Sequence, residues 1–409
     1  MGNILNYIDW RGDITLKNDG FCDVDNLILS VLSHVNFNEF LADKNKETTI
    51  KDAYEAFLNS KSSIPSNRTS SGNVTEVFKK MANSKRFGDM RISCYENQFD
   101  EKEEKQFSAL LIRLGDGTIY VSFRGTDDSL TGWKENLNMS YQEYIPAQLE
   151  AVRYLNKIPV KVCEKILVGG HSKGGNLAIY AAVKCNKKIK SKIIQVYSND
   201  APGFSSEMIQ SQEYQEILPK IKAIIPQSSL VGMLLEHGET YQVIQSNSKG
   251  LTQHDALTWE VLGNSFVCLS TVTEESKYTE ATINTWIYSM NPDQREQFSN
   301  AVYQFIKLSG QSVSDFFSGK VKISHIIRAW ISMDKNLRDY LILQIKTLLS
   351  SLRNAKIKYK KSLRYKTVQP QAENNMELYT AERINPIDNL RTKTKVCDSM
   401  QPLYSTLNK

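Results

Sequence analysis

The sequence has 409 residues, of which 41% are hydrophobic and 23% are charged, as is usual for a globular protein. Its formal net charge is +6, but residues 351–409 contain twelve Lys or Arg and five Asp or Glu, a balance of +7 that leaves −1 for the rest. The charge belongs to the tail and says nothing about a site elsewhere. The mixed signs in the tail favour a solvated segment, so no nucleic-acid partner is expected.

Cysteine usage and hydropathy exclude several classes of protein. The six cysteines are scattered without a Cys-x-x-Cys pair, which argues against a zinc site or a disulfide framework, so no metal is expected. No apolar run reaches the roughly 18 residues of a membrane span, and residues 1–4 lack a basic region followed by an apolar stretch. We expect a cytoplasmic protein without a transmembrane segment.

The first predicted element is an amphipathic helix over residues 24–35, because apolar side chains recur there at helical spacing, with Asp23 as its N-cap. This helix would contain His34, to which we assign a packing role. Residues 107–114 and 119–123 predict a β-hairpin around the turn Gly115-Asp116-Gly117.

Further strands are predicted at residues 192–198, 221–225 and 241–245, and helical patterns alternate with the strands. This alternation indicates an α/β fold with a largely parallel sheet covered by helices on both faces. From about residue 270 the spacing is helical, with apolar stripes starting at Phe298, Ile323 and Leu337. We expect these stripes to be packing faces.

Residues 166–178 form the most informative stretch, in which an apolar run leads into Gly-Gly-His-Ser-Lys-Gly-Gly and then a helix-compatible segment. The pattern predicts strand, sharp turn and helix, with Ser172 at the apex and small residues required at Gly170 and Gly174. A hydroxyl at the start of a helix also lies where free N–H groups favour negative charge. These features indicate the nucleophile elbow of a serine hydrolase. His171, beside the nucleophile, is expected to serve packing.

A serine nucleophile needs a histidine base, and His237, His254 and His325 follow Ser172 in the sequence. His254 follows the strand 241–245 and should lie at the edge where parallel strands end, whereas His237 precedes that strand and should lie at the opposite edge. We therefore predict His254 as the base.

The orienting acid should also follow a strand. Asp200, directly after the strand 192–198, is the first choice, with Glu236 and Asp255 as alternatives. Two oxyanion donors are expected: the backbone amide of Lys173, and the amide of Thr126, to which the Thr126 hydroxyl could add.

The segments Phe-Arg-Gly-Thr at residues 123–126 and Gly-His-Ser-Lys-Gly-Gly at residues 170–175 resemble those of class 3 (fungal-type) lipases. Residues 10–13, 170–178, 199–204 and 253–255 are similar to a largely uncharacterised bacterial branch of lipase-like hydrolases. The resemblance covers roughly residues 1–265 and implies an α/β-hydrolase fold, no cofactor and hydrolysis of carboxylic esters. One departure is that class 3 lipases carry their acid after the strand corresponding to 221–225, where this chain has Ser228 and Ser229.

We therefore expect an α/β-hydrolase domain over residues 1–265, a helical extension over 266–354 and a basic, poorly ordered tail over 355–409. The predicted activity is hydrolysis of a small-molecule or lipid ester. The alternative is a degenerate hydrolase that serves as a binding or regulatory module. Acyl length, head group, oligomeric state and a lid at residues 127–148 stay open at this stage.

Overall fold

The computed structural model describes residues 1–41, 47–60, 73–310 and 322–368. A nine-stranded sheet with the order β1-β2-β3-β4-β5-β6-β7-β8-β11 runs through the molecule, and β9 pairs with β10 in a separate ribbon. The strands are β1 Thr48–Thr49, β2 Arg91–Asp100, β3 Lys105–Arg113, β4 Thr118–Phe123, β5 Lys165–His171, β6 Ile193–Asn199, β7 Ile221–Pro226, β8 Tyr241–Ile244, β9 Val261–Leu262, β10 Ser265–Phe266 and β11 Cys268–Leu269.

Strands β4 to β8 are parallel, and the edge strands on both sides pair antiparallel. The predicted strands are all present. Strand β2 was not predicted, because its sequence is largely polar and its pairing with β3 shifts register between Ser93 and Glu96. The C-terminal ends of the parallel strands lie at one edge, as the placement of His254 and Asp200 requires.

Helices cover the sheet on both faces. They are α1 Ile4–Arg11, α2 Asp23–Leu32, α3 Ile50–Asn59, α4 Val74–Ala82, α5 Leu130–Asn138, α6 Pro146–Lys157, α7 Lys173–Lys184, α8 Lys187–Lys190, α9 Ser206–Gln210, α10 Gln212–Ile217, α11 Glu274–Tyr288, α12 Pro292–Ser309, α13 Ile323–Ser332 and α14 Lys335–Val368. The sheet with its two helical layers and the C-terminal helical region confirm the predicted α/β-hydrolase fold class.

The strands divide their side chains between two cores, because successive residues of a strand point to opposite faces. Leu110, Ile112 and Tyr120 belong to the core beneath α1–α4. Leu111 and Val121, which alternate with them, belong to the core beneath α6 and α7. Both faces are therefore buried, which explains the nearly continuous apolar sequence of these strands.

The predicted cap of α2 was wrong. The residue before the helix is Cys22, whose backbone N–H donates to Asp25 Oδ2 at 2.9 Å. Asp23 lies in the first turn and pairs with Lys222 at 2.6 Å instead. The helix also ends at Leu32, so His34 lies in the following turn rather than in the helix.

Residues Met1–Arg353 form one compact unit, and Asn354–Lys409 form another. The boundary predicted between residues 265 and 266 stays a prediction. Residues 355–368, expected to begin an irregular tail, are helical, and the rest of that predicted tail lies outside the described residues.

The stripe starting at Ile323 was only partly a packing face. Trp330 packs edge-on against Phe305 of α12, but Ile323, Ile327 and Ile331 are more than half exposed. Helix α13 carries apolar residues on two sides, and α12 covers only one of them. Within the described ranges, no helix combines the length and the hydropathy that crossing a membrane would need.

Candidate active site

Ser172 lies at the junction between β5 and α7, with φ 59° and ψ −132°. A positive φ at a residue other than glycine is strained, and such strain is typical of functional turns. A Cβ on Gly170 would lie 2.3 Å from the carbonyl carbon of Gly174, and a Cβ on Gly174 would lie 2.1 Å from Phe123 O. Only glycine fits these two positions, and the turn holds Ser172 with 7% of its surface exposed.

His254 and Asp200 form a close pair at the same sheet edge. His254 Nδ1 lies 2.6 Å from Asp200 Oδ2, and the Asp200 side chain is almost completely buried. Asp200 follows β6 directly with φ 48°, and His254 ends a short 3₁₀ turn, Gly250–His254, after β8. An Nδ1–H that donates to the carboxylate leaves Nε2 to act as a base.

The loop after β7 supports the other oxygen of this carboxylate. Ser229 Oγ and the backbone N–H of Gly232, at 3.1 Å, both donate to Asp200 Oδ1. Ser229 is one of the two serines that stand where class 3 lipases carry their acid. The carboxylate that pairs with His254 thus comes from the end of β6, and the loop after β7 supplies hydrogen bonds to it.

Ser172 and His254 both adjoin His171. The His171 and His254 rings lie 4.6 Å apart between centroids, with 32° between their planes, and Ser172 is the next residue in the chain. The hydrogen bonds of the described residues include none between Ser172 Oγ and His254. Such bonds are often long in structures without substrate and tighten when it binds.

The alternative acids and bases lie in other environments. Glu236 Oε1 accepts from Ser206 Oγ at 2.6 Å, and Asp255 Oδ1 accepts from the backbone N–H of Leu257 at 2.9 Å. His237 Nδ1 lies 3.1 Å from Glu239, and His325 belongs to α13. Of the predicted acids, Asp200 is the one bonded to a predicted base.

The loop after β4 passes directly against the elbow. A Cβ on Gly125 would lie 2.6 Å from His171 O, 3.3 Å from Ser172 Cβ and 3.5 Å from His34 Cε1. Thr126 follows Gly125, so its amide is close to the serine. Its hydroxyl, however, donates to Asn136 Oδ1 at 2.9 Å. A hydroxyl has one proton to donate, so in this arrangement only the Thr126 amide is left for an oxyanion.

Helix α5 contacts the residue that follows Ser172. Lys173 Nζ lies 2.7 Å from Glu135 Oε2, from Gln106 O and from Gln106 Oε1, and both charged side chains are fully buried. Glu135 also accepts from the backbone N–H of Ala147 at 2.8 Å. The sequence analysis missed Glu135 and Asn136, because both are polar residues in the segment left open as a lid. Helix α5 has only nine residues, which is too short for the spacing of its apolar residues to show which side is buried.

Two further histidines adjoin the serine. Burial lowers the pKa of His171 to about 3, and the nearby His254 adds to the effect, so His171 is neutral at physiological pH. Burial also lowers the pKa of His34, followed by the charge of Arg124. His34 Cε1 and Ser172 Cβ both lie within 3.5 Å of the position that a Cβ on Gly125 would take. His34 is therefore closer to the site than its packing role suggested.

In the parts of the chain that the structure describes, no three His, Cys, Asp or Glu side chains are grouped as metal ligands. What the site offers is a hydroxyl, an imidazole–carboxylate pair and backbone donors. These are the groups that acyl transfer uses.

Solved structures of lipases resemble this fold distantly. A lipase from Rhizopus microsporus var. chinensis is 16% identical with a TM-score of 0.32, over 42% of this chain and 66% of that one. A Rhizomucor miehei lipase in complex with its propeptide is 16% identical with a TM-score of 0.31, over 44% and 71%. A lipase from Yarrowia lipolytica is 15% identical with a TM-score of 0.30, over 44% and 71%.

This chain thus spans about two thirds of the length of these lipases, and the likeness concerns the fold alone. No curated protein matches the sequence. The Mbeg1-like family model matches residues 81–304, more than half of the chain and a range that includes the elbow, Asp200 and His254. The chain belongs to the Mbeg1-like family.

Proposed function

We propose that this protein is a serine hydrolase that cleaves carboxylic esters, with Ser172 as nucleophile, His254 as base and Asp200 as the orienting acid. The observation that carries the proposal is the His254–Asp200 pair at 2.6 Å beside a serine held at φ 59° on a glycine-flanked turn. The strained backbone at Ser172 and the buried carboxylate beside His254 both lower the stability of the fold, and such features are typical of catalytic sites.

In the proposed reaction, Ser172 Oγ attacks the ester carbonyl carbon while His254 Nε2 takes the hydroxyl proton. Asp200 accepts from His254 Nδ1 and stabilises the imidazolium that forms. The amides of Lys173 and Thr126 donate to the oxyanion of the tetrahedral intermediate. His254 then gives its proton to the leaving alcohol, and a water molecule, activated by the same ring, hydrolyses the acyl-enzyme. We propose that the substrate is a lipid or small-molecule ester and that the reaction takes place in the cytoplasm.

A fluorophosphonate probe, which reacts with activated serines, tests the proposal. We expect labelling of the intact protein at Ser172 and none in Ser172→Ala. Hydrolysis of p-nitrophenyl esters from acetate to palmitate should fall by at least about 10³-fold in both Ser172→Ala and His254→Ala, with a smaller loss in Asp200→Asn. Full activity of His254→Ala would contradict the assignment of the base.

One observation favours a second candidate, a degenerate hydrolase that binds a ligand or partner without turnover. It is that no hydrogen bond joins Ser172 Oγ to His254 among the described residues. The same probe separates the two functions. A folded wild-type protein that reacts with no fluorophosphonate and hydrolyses no ester of the series would support the binding module.

A further inference from the structure

A cavity of about 110 Å³ lies between α5 and the helices α11 and α12. The walls are mainly apolar: Leu137 and Met139 come from α5 and the residue after it, Leu234 from the loop after β7, and Trp286, Met290 and Phe298 from the C-terminal helical region.

The charged and hydroxyl side chains of the wall are bonded to other protein groups. Arg295 donates to Ile287 O at 2.9 Å and to Ser140 O at 2.7 Å, and its guanidinium lies over the Tyr288 ring. Ser140 Oγ donates to Leu137 O at 2.7 Å, and Ser299 Oγ donates to Asn138 at 3.2 Å. A ligand in the cavity would therefore meet hydrocarbon, and burial of apolar surface would dominate its binding.

The cavity adjoins the proposed catalytic site at two points. Asn136 lines the cavity and accepts a hydrogen bond from the hydroxyl of Thr126, a proposed oxyanion residue. Pro202, which also lines it, stands two residues after Asp200. The cavity wall is thus one hydrogen bond away from a proposed oxyanion residue and two residues along the chain from Asp200.

Trp286 provides an independent observation. This side chain is 7% exposed and lines the cavity, yet its indole N–H is buried without a hydrogen-bond partner among the residues that the structure describes. Buried polar groups are nearly always bonded, and a hydrocarbon chain has no acceptor, so this N–H calls for a polar atom at the wall, such as a water molecule or an oxygen of the ester group.

We propose that this cavity binds the acyl chain of the ester, and that α11 and α12 determine how long a chain the protein accepts. The inference rests on the proposed function. It assigns a specificity role to the part of the chain that lies outside the predicted hydrolase domain. The acid part of the substrate is then a hydrocarbon chain, and the alcohol part lies on the other side of Ser172.

The test compares kcat/KM for p-nitrophenyl acetate, hexanoate, decanoate and palmitate. Leu137→Trp fills the cavity and should lower the decanoate-to-acetate ratio by at least about 10-fold, because each methylene lost from an apolar pocket is worth about 10–200-fold. Met290→Ala enlarges it and should raise the palmitate-to-hexanoate ratio by about 10-fold. Trp286→Phe, which removes the N–H and keeps an aromatic ring, should change these ratios less than Met290→Ala does.

Matched controls separate the cavity from general damage to the fold. Leu149→Trp matches Leu137→Trp at an exposed position of α6, and Met81→Ala matches Met290→Ala in the core beneath α1–α4. Both should leave the chain-length ratios unchanged. If Leu137→Trp and Met290→Ala also leave them unchanged while Ser172 is labelled, the cavity assignment is overturned and the hydrolase stands. If no probe or ester reacts with the wild type, the proposed function fails.

Discussion

Two fully buried ion pairs lie in different regions of the molecule and have different surroundings. Arg86 pairs with Asp25 at 2.5 Å and donates also to Asp19 O and Gly20 O, so that it ties α2 to the N-terminal loop. Lys173 pairs with Glu135 at 2.7 Å and ties the first residue of α7 to α5. Asp25 accepts further from Tyr7 and Cys22, and none of these partners is a proposed catalytic residue.

The comparison shows that burial alone does not mark a functional charge. Both pairs are completely shielded from water, and both have additional hydrogen bonds that satisfy the charges, as buried pairs require. What distinguishes Lys173 is its neighbour in the chain. Its backbone amide is a proposed oxyanion donor, so displacement of its side chain would also displace that amide.

The largest expected difference between the two regions comes from Glu135→Gln and Asp25→Asn. Each leaves a buried cation without its anion, so each should lower the free energy of unfolding by about 3–5 kcal/mol. Only Glu135→Gln should also lower kcat per folded molecule, by up to about 10²–10³-fold, because one oxyanion donor loses its position. Urea unfolding and turnover normalised to probe-labelled protein measure the two effects.

The double variant Lys173→Met with Glu135→Leu sharpens this comparison. Replacement of a buried pair by apolar residues often restores stability. We expect the free energy of unfolding to recover in part, because the backbone N–H of Ala147 loses its acceptor, and kcat to stay below that of the wild type. An equal kcat loss in Asp25→Asn would show that the two pairs do not differ in function.

A second prediction concerns the pH dependence at the site. The pKa of His171 is about 3 in the folded protein and about 6.5 when unfolded, so the unfolded state binds more protons between these values. Its contribution to stability is complete above pH 6.5 and is lost as the pH falls toward 3. His171→Phe should remove this part of the pH dependence, which amounts to a free energy of unfolding on the order of a few kcal/mol over the whole range. Urea unfolding at pH 7.5 and pH 5 tests this, and an unchanged slope would contradict it.

A smaller effect is expected at the carboxylate of Asp200. Ser229→Ala removes one hydrogen bond to a buried charge and should lower the free energy of unfolding by about 1.5–3 kcal/mol. Turnover should fall by about 10-fold, which corresponds to about 1.4 kcal/mol. Ser228→Ala, at the neighbouring half-buried position where Oγ contacts Thr273, is the control and should leave both quantities unchanged. The same loss in the control would argue against a role for Ser229.

The smallest effect is expected at an exposed ion pair. Lys80 Nζ lies 2.5 Å from Asp9 Oδ1, and the Asp9 side chain is 54% exposed. Lys80→Ala should change the free energy of unfolding by roughly 0–1 kcal/mol, because water and salt screen such pairs. A loss as large as that of Asp25→Asn would remove burial as the explanation for the larger effects.

The sequence predicted those parts of the site that depend on local rules. Gly170 and Gly174 identify a tight turn, and the common edge of parallel strands brings Asp200 and His254 together although 54 residues separate them. Glu135 and Asn136 could not be found in this way. Their partners Lys173 and Thr126 are chosen by tertiary packing, and no local spacing distinguishes a polar helix that packs inward from one that faces water. The exposed face of α13 was not predicted for the same reason. The periodicity identifies an apolar face but not the element that packs against it.

Helix α5 also faces the C-terminal region. Lys134 Nζ, buried on this helix, donates to Ser299 Oγ at 3.1 Å and to Asn300, both on α12, and burial lowers its pKa. A shortened protein ending at residue 265 would therefore lose the acceptors of this ammonium group on the same helix that holds Glu135 and Asn136. The smallest fragment that keeps these contacts must extend through α12.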